Sequence, residues 1–380
     1  MNQEPFLSFY GKNGIIPMNQ QVDGSIGHFA RRRALYRQLG LLEPIIRGRR
    51  VVEFGPGTGD NALYTDSLQP SRLFLVDGNP ASIEALRRKE REGLFRHGVH
   101  IVHENILNFA FSDHFDVVLC EAVIPGQRDP SAFLRKVAEH VDQGGCLIFT
   151  VISALSYLAE ICRRLLLPFM RDKYPREDEL LCALVELFRP GLDSLKGMSR
   201  RHDDWVMDNI LHPWTQRGRF FSADRALRVL DGDFSPVGSA PSYFQDWRWF
   251  KSIPGDTRSD CQVWEESYRI WRAFLLDYRV SPVSGGILPA GDDLEKIAEE
   301  IVERHNEFLD SGEFRDLEPI ENLFSSVLCM VRSAMPGTAR SIEAFLGALV
   351  KFKKGDVAVD LGAFHPWFGR GQQYLHFVRN

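Results

Sequence analysis

Glu53, Asp77 and Glu121 are the acids whose placement could do chemistry in this chain. Glu53 stands two residues before the first of three glycines in Val51-Val52-Glu53-Phe54-Gly55-Pro56-Gly57-Thr58-Gly59-Asp60-Asn61. Two valines and a phenylalanine make a buried strand there. Glycines at alternate positions then let the backbone turn sharply and approach a ligand with no Cβ in the way. The helix that follows directs its free N–H groups at whatever lies before it. Asp77 and Gly78 close the next apolar run, Leu73-Phe74-Leu75-Val76. An acid at that strand tip can accept hydrogen bonds from both ribose hydroxyls of a nucleoside. Glu121 closes a further run, Phe115-Asp116-Val117-Val118-Leu119-Cys120, and is the first candidate for a general base. A lone glycine triplet would be no more than a tight turn; the acids are what make it informative.

The elements that must position these groups follow from spacing. Strands at 51–54, 73–77, 99–102, 115–121 and 146–151 alternate with helical stretches, which argues a parallel sheet with right-handed crossovers. A dehydrogenase fingerprint needs G-x-G-x-x-G, with the pyrophosphate on the helix N-terminus. Here the spacing is G-x-G-x-G with an acid before it, which suits a cationic amino-acid ligand better than a pyrophosphate.

Together these residues resemble the class I S-adenosylmethionine-dependent methyltransferases, whose first motif is commonly written (V/I/L)-(L)-(E/D)-x-G-x-G-x-G. The resemblance covers residues 47–152 well. It implies a Rossmann-like, doubly wound α/β sheet, seven-stranded and mostly parallel, with S-adenosyl-L-methionine as cofactor and S-adenosyl-L-homocysteine as product. It assigns cofactor contacts to Glu53, Gly55, Gly57, Gly59, Asp77, Gly78, Asn105, Ile106 and Glu121. Many family members carry Asp where this chain has Asn105, to accept from the adenine amino group; Asn can still accept through its carbonyl. Ile106 would pack on the adenine face. The second Glu of arginine methyltransferases is missing, since position 130 is Pro. The Asn/Asp-Pro-Pro-aromatic motif of base and amide N-methyltransferases is absent as well.

Residues 1–46 read as an irregular segment followed by an amphipathic helix from Arg31 to Leu42. In similar enzymes this segment folds over the cofactor, which makes Tyr10, His28 and Arg31 candidates for a lid. The plain alternative is that the aromatics pack the segment down and Arg31 to Arg33 form a solvated face. After the fifth strand, residues 153–217 read as a helical insertion placed as a substrate cap. The core resumes over 218–254, with 234–237 and 242–251 as its final antiparallel strands. Residues 255–380 read as a mainly helical C-terminal extension. Within it Val357 to Gly362 imitates the first motif without its second and third glycines and is taken as a decoy.

His212, in a polar and aromatic stretch of the insertion, is the second candidate base, since imidazole titrates near neutrality. A structural histidine is the commoner reading of such a residue. Trp214 and Tyr243, with Tyr10 and His28, are candidates to bind substrate. They could equally form core where an insertion docks.

The chain of 380 residues has a formal charge of −5 and a pI near 6.1, which offers no global attraction for nucleic acid. No apolar run approaches the roughly 18 residues of a membrane span, and the first residues do not read as a signal peptide. Six scattered cysteines show no zinc spacing, so no metal is expected. Cys120, Cys146, Cys162, Cys182 and Cys329 lie in apolar patterns and read as buried thiols in a reducing cytoplasm.

The reading is therefore a cytoplasmic enzyme that methylates a small-molecule or glycan-type acceptor at oxygen by in-line displacement. Two alternatives stand beside it: a non-catalytic S-adenosylmethionine-binding scaffold and a nucleotide-dependent oxidoreductase. The tail could serve a homodimer as readily as a substrate site.

Overall fold

The structure, a computed structural model, describes residues 25–110, 114–198, 200–212, 220–242, 244–246, 248, 255–281, 289–311 and 317–380. Two compact units divide the chain. The first spans 1–152, 220–268 and 372–380, and the second spans 153–219 and 269–371.

The first unit begins its described part with α1 (Ser25–Gln38). Then β1 (Arg50–Phe54), α2 (Asp60–Ser67), β2 (Arg72–Asp77), α3 (Pro80–Arg91), β3 (Val99–His103), β4 (Phe115–Cys120), α4 (Pro130–Ala138) and β5 (Val141–Val151) follow. The chain next enters the second unit with α5 (Leu158–Leu165) and α6 (Glu177–Asp193). It returns with α7 (Ala223–Leu230) and β6 (Phe234–Ala240), leaves again through helices that include α8 (Gly291–Ser311), and ends in β7 (Gln373–Arg379).

All seven strands form one sheet in the order β3-β2-β1-β4-β5-β7-β6. The first five are parallel, and β7 runs antiparallel between β5 and β6. This is the Rossmann-like methyltransferase fold. Strand β1 lies inside it because Val51, Val52 and Phe54 are fully buried. Burying such a side chain contributes roughly 1.5–3 kcal/mol, so a central apolar strand holds its place strongly. Alternation then sorts the faces. Val51, Leu73, Leu75, Val117, Leu119 and Ile148 share one core with Tyr36 and Leu39 of the α1 region and Leu86 of α3.

One expectation needs correction. Of the stretch 242–251, the described residues 242, 244–246 and 248 form no strand, and the expectation for 243, 247 and 249–251 lies outside the described residues. The sheet is completed by β7 at the end of the chain, so 255–380 is not a plain C-terminal extension. The strand was hidden by its polar residues. Gln373 and His376 are both buried, and His376 Nδ1 meets the Leu39 carbonyl at 2.8 Å.

The second unit is helical. On α5 every side chain is buried, including two arginines. The motif imitation at 357–362 forms no strand. Cys182 and Cys329 are exposed, which corrects their reading as buried thiols, whereas Cys120, Cys146 and Cys162 are buried. Single residues on the outward stripe of a helix carry no local signal of their exposure. Among the described residues no helix is long and apolar enough to cross a membrane.

Candidate active site

The glycine loop joins β1 to α2 at the C-terminal edge of the sheet, where open α/β sheets bind ligands. Gly55, Gly57 and Gly59 all take positive φ, at 70°, 57° and 81°. For Gly55 this is required twice over. A Cβ there would meet Val123 Cγ2 at 2.4 Å, and the left-handed region itself disfavours side chains. Asp77 anchors the loop from the tip of β2. Its carboxylate accepts from the Gly57 N–H at 3.3 Å and the Asn79 N–H at 2.8 Å. Burial pushes its carboxyl up, and these N–H groups pull against that. A carboxylate has about four acceptor sites, so these bonds leave room for ribose hydroxyls.

Glu53 is the penultimate residue of β1 and is 3% exposed. Its Oε2 is buried without a hydrogen-bond partner. Burial first, and the neighbouring Glu121 second, push its carboxyl up to about 8. A buried acceptor left unmade costs about 1–3 kcal/mol, so the position is poised for a donor.

Glu121 follows β4 directly. Ala122 turns the chain there at φ 59°, unusual for a side chain with a Cβ, and its N–H is held by Thr150 Oγ1 at 2.7 Å. Arg32 of α1 grips Glu121 with two bonds, Nη2 to Oε1 at 2.5 Å and Nη1 to Oε2 at 2.8 Å. Asn61 of α2 donates to Oε2 at 3.3 Å, and Arg32 also reaches the Tyr36 hydroxyl at 3.1 Å. The charged partner of Glu121 is thus Arg32.

Arg32 is the residue that sequence reasoning missed. It sat in an Arg31-Arg32-Arg33 run that read as a solvated face, yet it is 5% exposed while its neighbours are exposed. Helical spacing places it one turn before Tyr36 on the inward face, and that spacing was the available signal.

The other expected residues are scattered. His28, buried on α1, brings Nε2 to the Asp60 carbonyl at 3.2 Å and so ties α1 to the start of α2. Burial lowers its pKa, so the ring is neutral near pH 7. Asn105 spends its side-chain carbonyl on the Leu107 N–H at 3.0 Å, a local turn; the amide group remains. Ile106 and Gly78 are half-buried. Tyr10, Trp214 and Tyr243 lie outside the described residues.

His212 belongs to the second unit and is fully buried. Burial lowers its pKa to about 4, far from the neutral value that favours a general base. Among the described residues no group of three or more His, Cys, Asp and Glu could hold a metal.

The donor set fits an S-adenosylmethionine amino-acid head and ribose: a buried carboxyl with one unpartnered oxygen, a glycine cradle and a strand-tip acid. Residues 52–149 match the family model described as a methyltransferase domain. No curated protein matches the chain. Among solved structures, similarity extends to magnesium protoporphyrin IX methyltransferase from Synechocystis PCC 6803 with bound S-adenosylmethionine. It is 16% identical, with 40% of this chain and 77% of that one covered at a TM-score of 0.32. The N-methyltransferase NodS from Bradyrhizobium japonicum WM9 is 19% identical over 40% and 74%, at 0.31. The CcbJ methyltransferase from Streptomyces caelestis is 20% identical over 37% and 59%, at 0.30. Likenesses this low carry nothing about the acceptor of this chain. The glycine loop and its two strand-tip acids fall within the matched stretch 52–149, and that stretch is a methyltransferase domain of the class I S-adenosylmethionine-dependent kind.

Proposed function

We propose that this enzyme moves the methyl group of S-adenosylmethionine to a hydroxyl of a small-molecule or glycan-type acceptor. The observation that carries the donor half of this reading is the orphaned Glu53 Oε2 beside the glycine loop. In the reading, Glu53 receives the donor's ammonium, the loop admits its backbone closely, and Asp77 takes the ribose hydroxyls. Asn105 and Ile106 would border the adenine. The bound donor supplies an electrophilic methyl on sulfur, and what the protein adds is chiefly alignment.

Glu121 has a positioning part in this reading. Both its oxygens already accept N–H groups, so drawing a proton from an acceptor would compete with those bonds. His212, neutral and buried, is left outside the chemistry. The acceptor half rests on two things: the modest negative charge, which does not favour a polynucleotide, and the two long inserted segments that make up the second unit. A cytoplasmic site of action and self-association belong to the same proposal.

Titration calorimetry with S-adenosylmethionine, and separately with NAD, tests the donor. Micromolar binding of the first alone is expected, lost in Asp77→Ala. Transfer of labelled methyl from the donor to a metabolite extract then tests the acceptor. Label found only on nucleic acid or protein would sink the small-molecule reading. Glu121→Gln, which keeps the shape beside Arg32, separates catalysis from scaffolding: unchanged donor binding with no transfer detectable in either protein would favour the scaffold.

A further inference from the structure

Two buried acids and one buried cation meet at the end of β1 and β4. Their bonds are unevenly shared. Arg32 gives two N–H groups to Glu121 and none to Glu53, although all three are at most 8% exposed. Glu53 is left with an unpartnered oxygen. Among the described residues the other titratable groups that bear on the cluster are Cys120, beside Glu121, Tyr36, beside Arg32, and Tyr374 of β7, whose hydroxyl burial pushes up and keeps neutral. Burial pushes the Cys120 thiol up and the Tyr36 hydroxyl up to about 12, so both stay neutral near pH 7. Asn61, from α2, brings no charge. Among the described residues the cluster therefore holds one cation for two carboxyls, and the fork geometry of Arg32 has chosen between them.

We propose that Arg32 is a positioning residue that reserves Glu121 and thereby keeps Glu53 a protonated carboxyl until a ligand's ammonium arrives, so that donor binding expels one proton. This rests on the donor reading above. The balance is simple. The neutral Glu53 carboxyl gives its proton to solvent, and the carboxylate formed accepts an N–H from the incoming ammonium. No bond to carbon changes. The second cation arrives with the ligand, which makes Glu53 selective for a donor with a free ammonium over one whose amine is blocked or missing. A carboxyl raised to about 8 in the empty site is the corresponding electrostatic state.

Calorimetric binding of S-adenosylmethionine in buffers of different ionisation enthalpy tests this at pH 6.5. An α-amine titrates near ~8, so at this pH the free donor is already an ammonium and adds no proton of its own. The slope of heat against buffer enthalpy should correspond to about one proton released per donor bound. Glu53→Gln should bind with a slope near zero. Arg32→Lys keeps the charge but not the fork. Its compact ammonium can lie between both acids, so the proton count should fall below half and affinity should drop about tenfold. A zero slope with the donor bound by the unaltered protein overturns the inference and leaves the donor reading standing. A full proton released by Arg32→Lys overturns the role given to Arg32. No binding by the unaltered protein overturns both readings.

Discussion

Both units bury arginine beside acid, and they do so in opposite ways. In the first unit Arg32 is matched to a carboxylate by two parallel bonds, and Glu121 together with Tyr36 holds it charged against burial. In the second, Arg163 has carbonyls instead. It donates to Ala159 at 3.1 Å, His365 at 3.1 Å and Trp367 at 2.9 Å, and lies over the rings of Phe364 and Phe368 at 4.7 and 4.0 Å. Burial lowers its pKa to about 10, still charged at neutrality. Arg164 beside it donates to the Asn209 carbonyl at 2.6 Å and stacks over Tyr157. Carbonyls and rings satisfy a guanidinium without a second charge, and that makes a clamp between chain segments. A carboxylate partner makes an electrostatic device whose balance a ligand can change. The comparison separates structural from functional burial within one chain.

The largest effects should come from removing the guanidiniums. Arg32→Met strands Glu121 beside Glu53 in a dry site, which should cost about 3–5 kcal/mol. Arg163→Met strands carbonyls and takes one cation from the buried Glu160, which Arg164 still faces, so its cost should be smaller, about 2–4 kcal/mol from lost charge-assisted bonds. Urea unfolding of both variants, followed by a probe in each unit, checks the order. Lowering the pH to 5 should recover more of the loss for Arg32→Met, which strands the ion-paired Glu121, than for Arg163→Met, because Glu160 keeps Arg164 as a neighbouring cation. Equal recovery would break the comparison.

Gly55→Ala should come next. A Cβ 2.4 Å from Val123 in a left-handed residue should cost about 1–3 kcal/mol and abolish donor binding. Normal donor affinity in this variant would remove the loop from the site.

The acids sharpen the comparison further, since each unit holds a glutamate pushed up by burial: Glu53 to about 8 and Glu160 to about 7, against 4.5 ordinarily. A raised carboxyl keeps its proton when folded and loses it when unfolded. Stability therefore falls as pH rises from about 4.5 to 8 for Glu53, at up to about 1.4 kcal/mol per pH unit. The window for Glu160 closes near 7. Glu53→Gln and Glu160→Gln should each flatten their own part of the stability–pH curve, with little change at pH 4. A curve that keeps its full slope in Glu53→Gln would mean that Glu53 is ionised in the empty site.

Asn105→Ala should be mildest. It loses the turn bond to the Leu107 N–H, about 0.5–1.5 kcal/mol. Donor affinity unchanged within twofold would place the adenine contact elsewhere in the loop.

Much of the first unit was legible. Strands β1 to β5 follow from apolar runs punctuated by glycine and acid, and Glu53, Gly55, Gly57, Gly59 and Asp77 declared themselves by spacing. The last strand did not, because the buried Gln373 and His376 break its apolar pattern, and His376 finds its partner in the Leu39 carbonyl, far away in sequence. Arg32 was overlooked for a related reason. Its neighbours Arg31 and Arg33 have the same side chain, and only the rotation of α1 decides which of the three faces inward. His212 shows the converse: a residue type with catalytic promise that burial turns into a neutral ring.

Local pattern alone determined the strand–glycine–helix unit, the acids at its strand tips and hence the donor chemistry, because those features need neighbours only a few residues apart. Tertiary structure decided what sequence proximity cannot carry: that β7 returns from the end of the chain to lie beside β5, and that Arg32 reaches across 89 positions to Glu121. Charge balance in a dry site depends on distances in space, and those exist only once the sheet and α1 have packed.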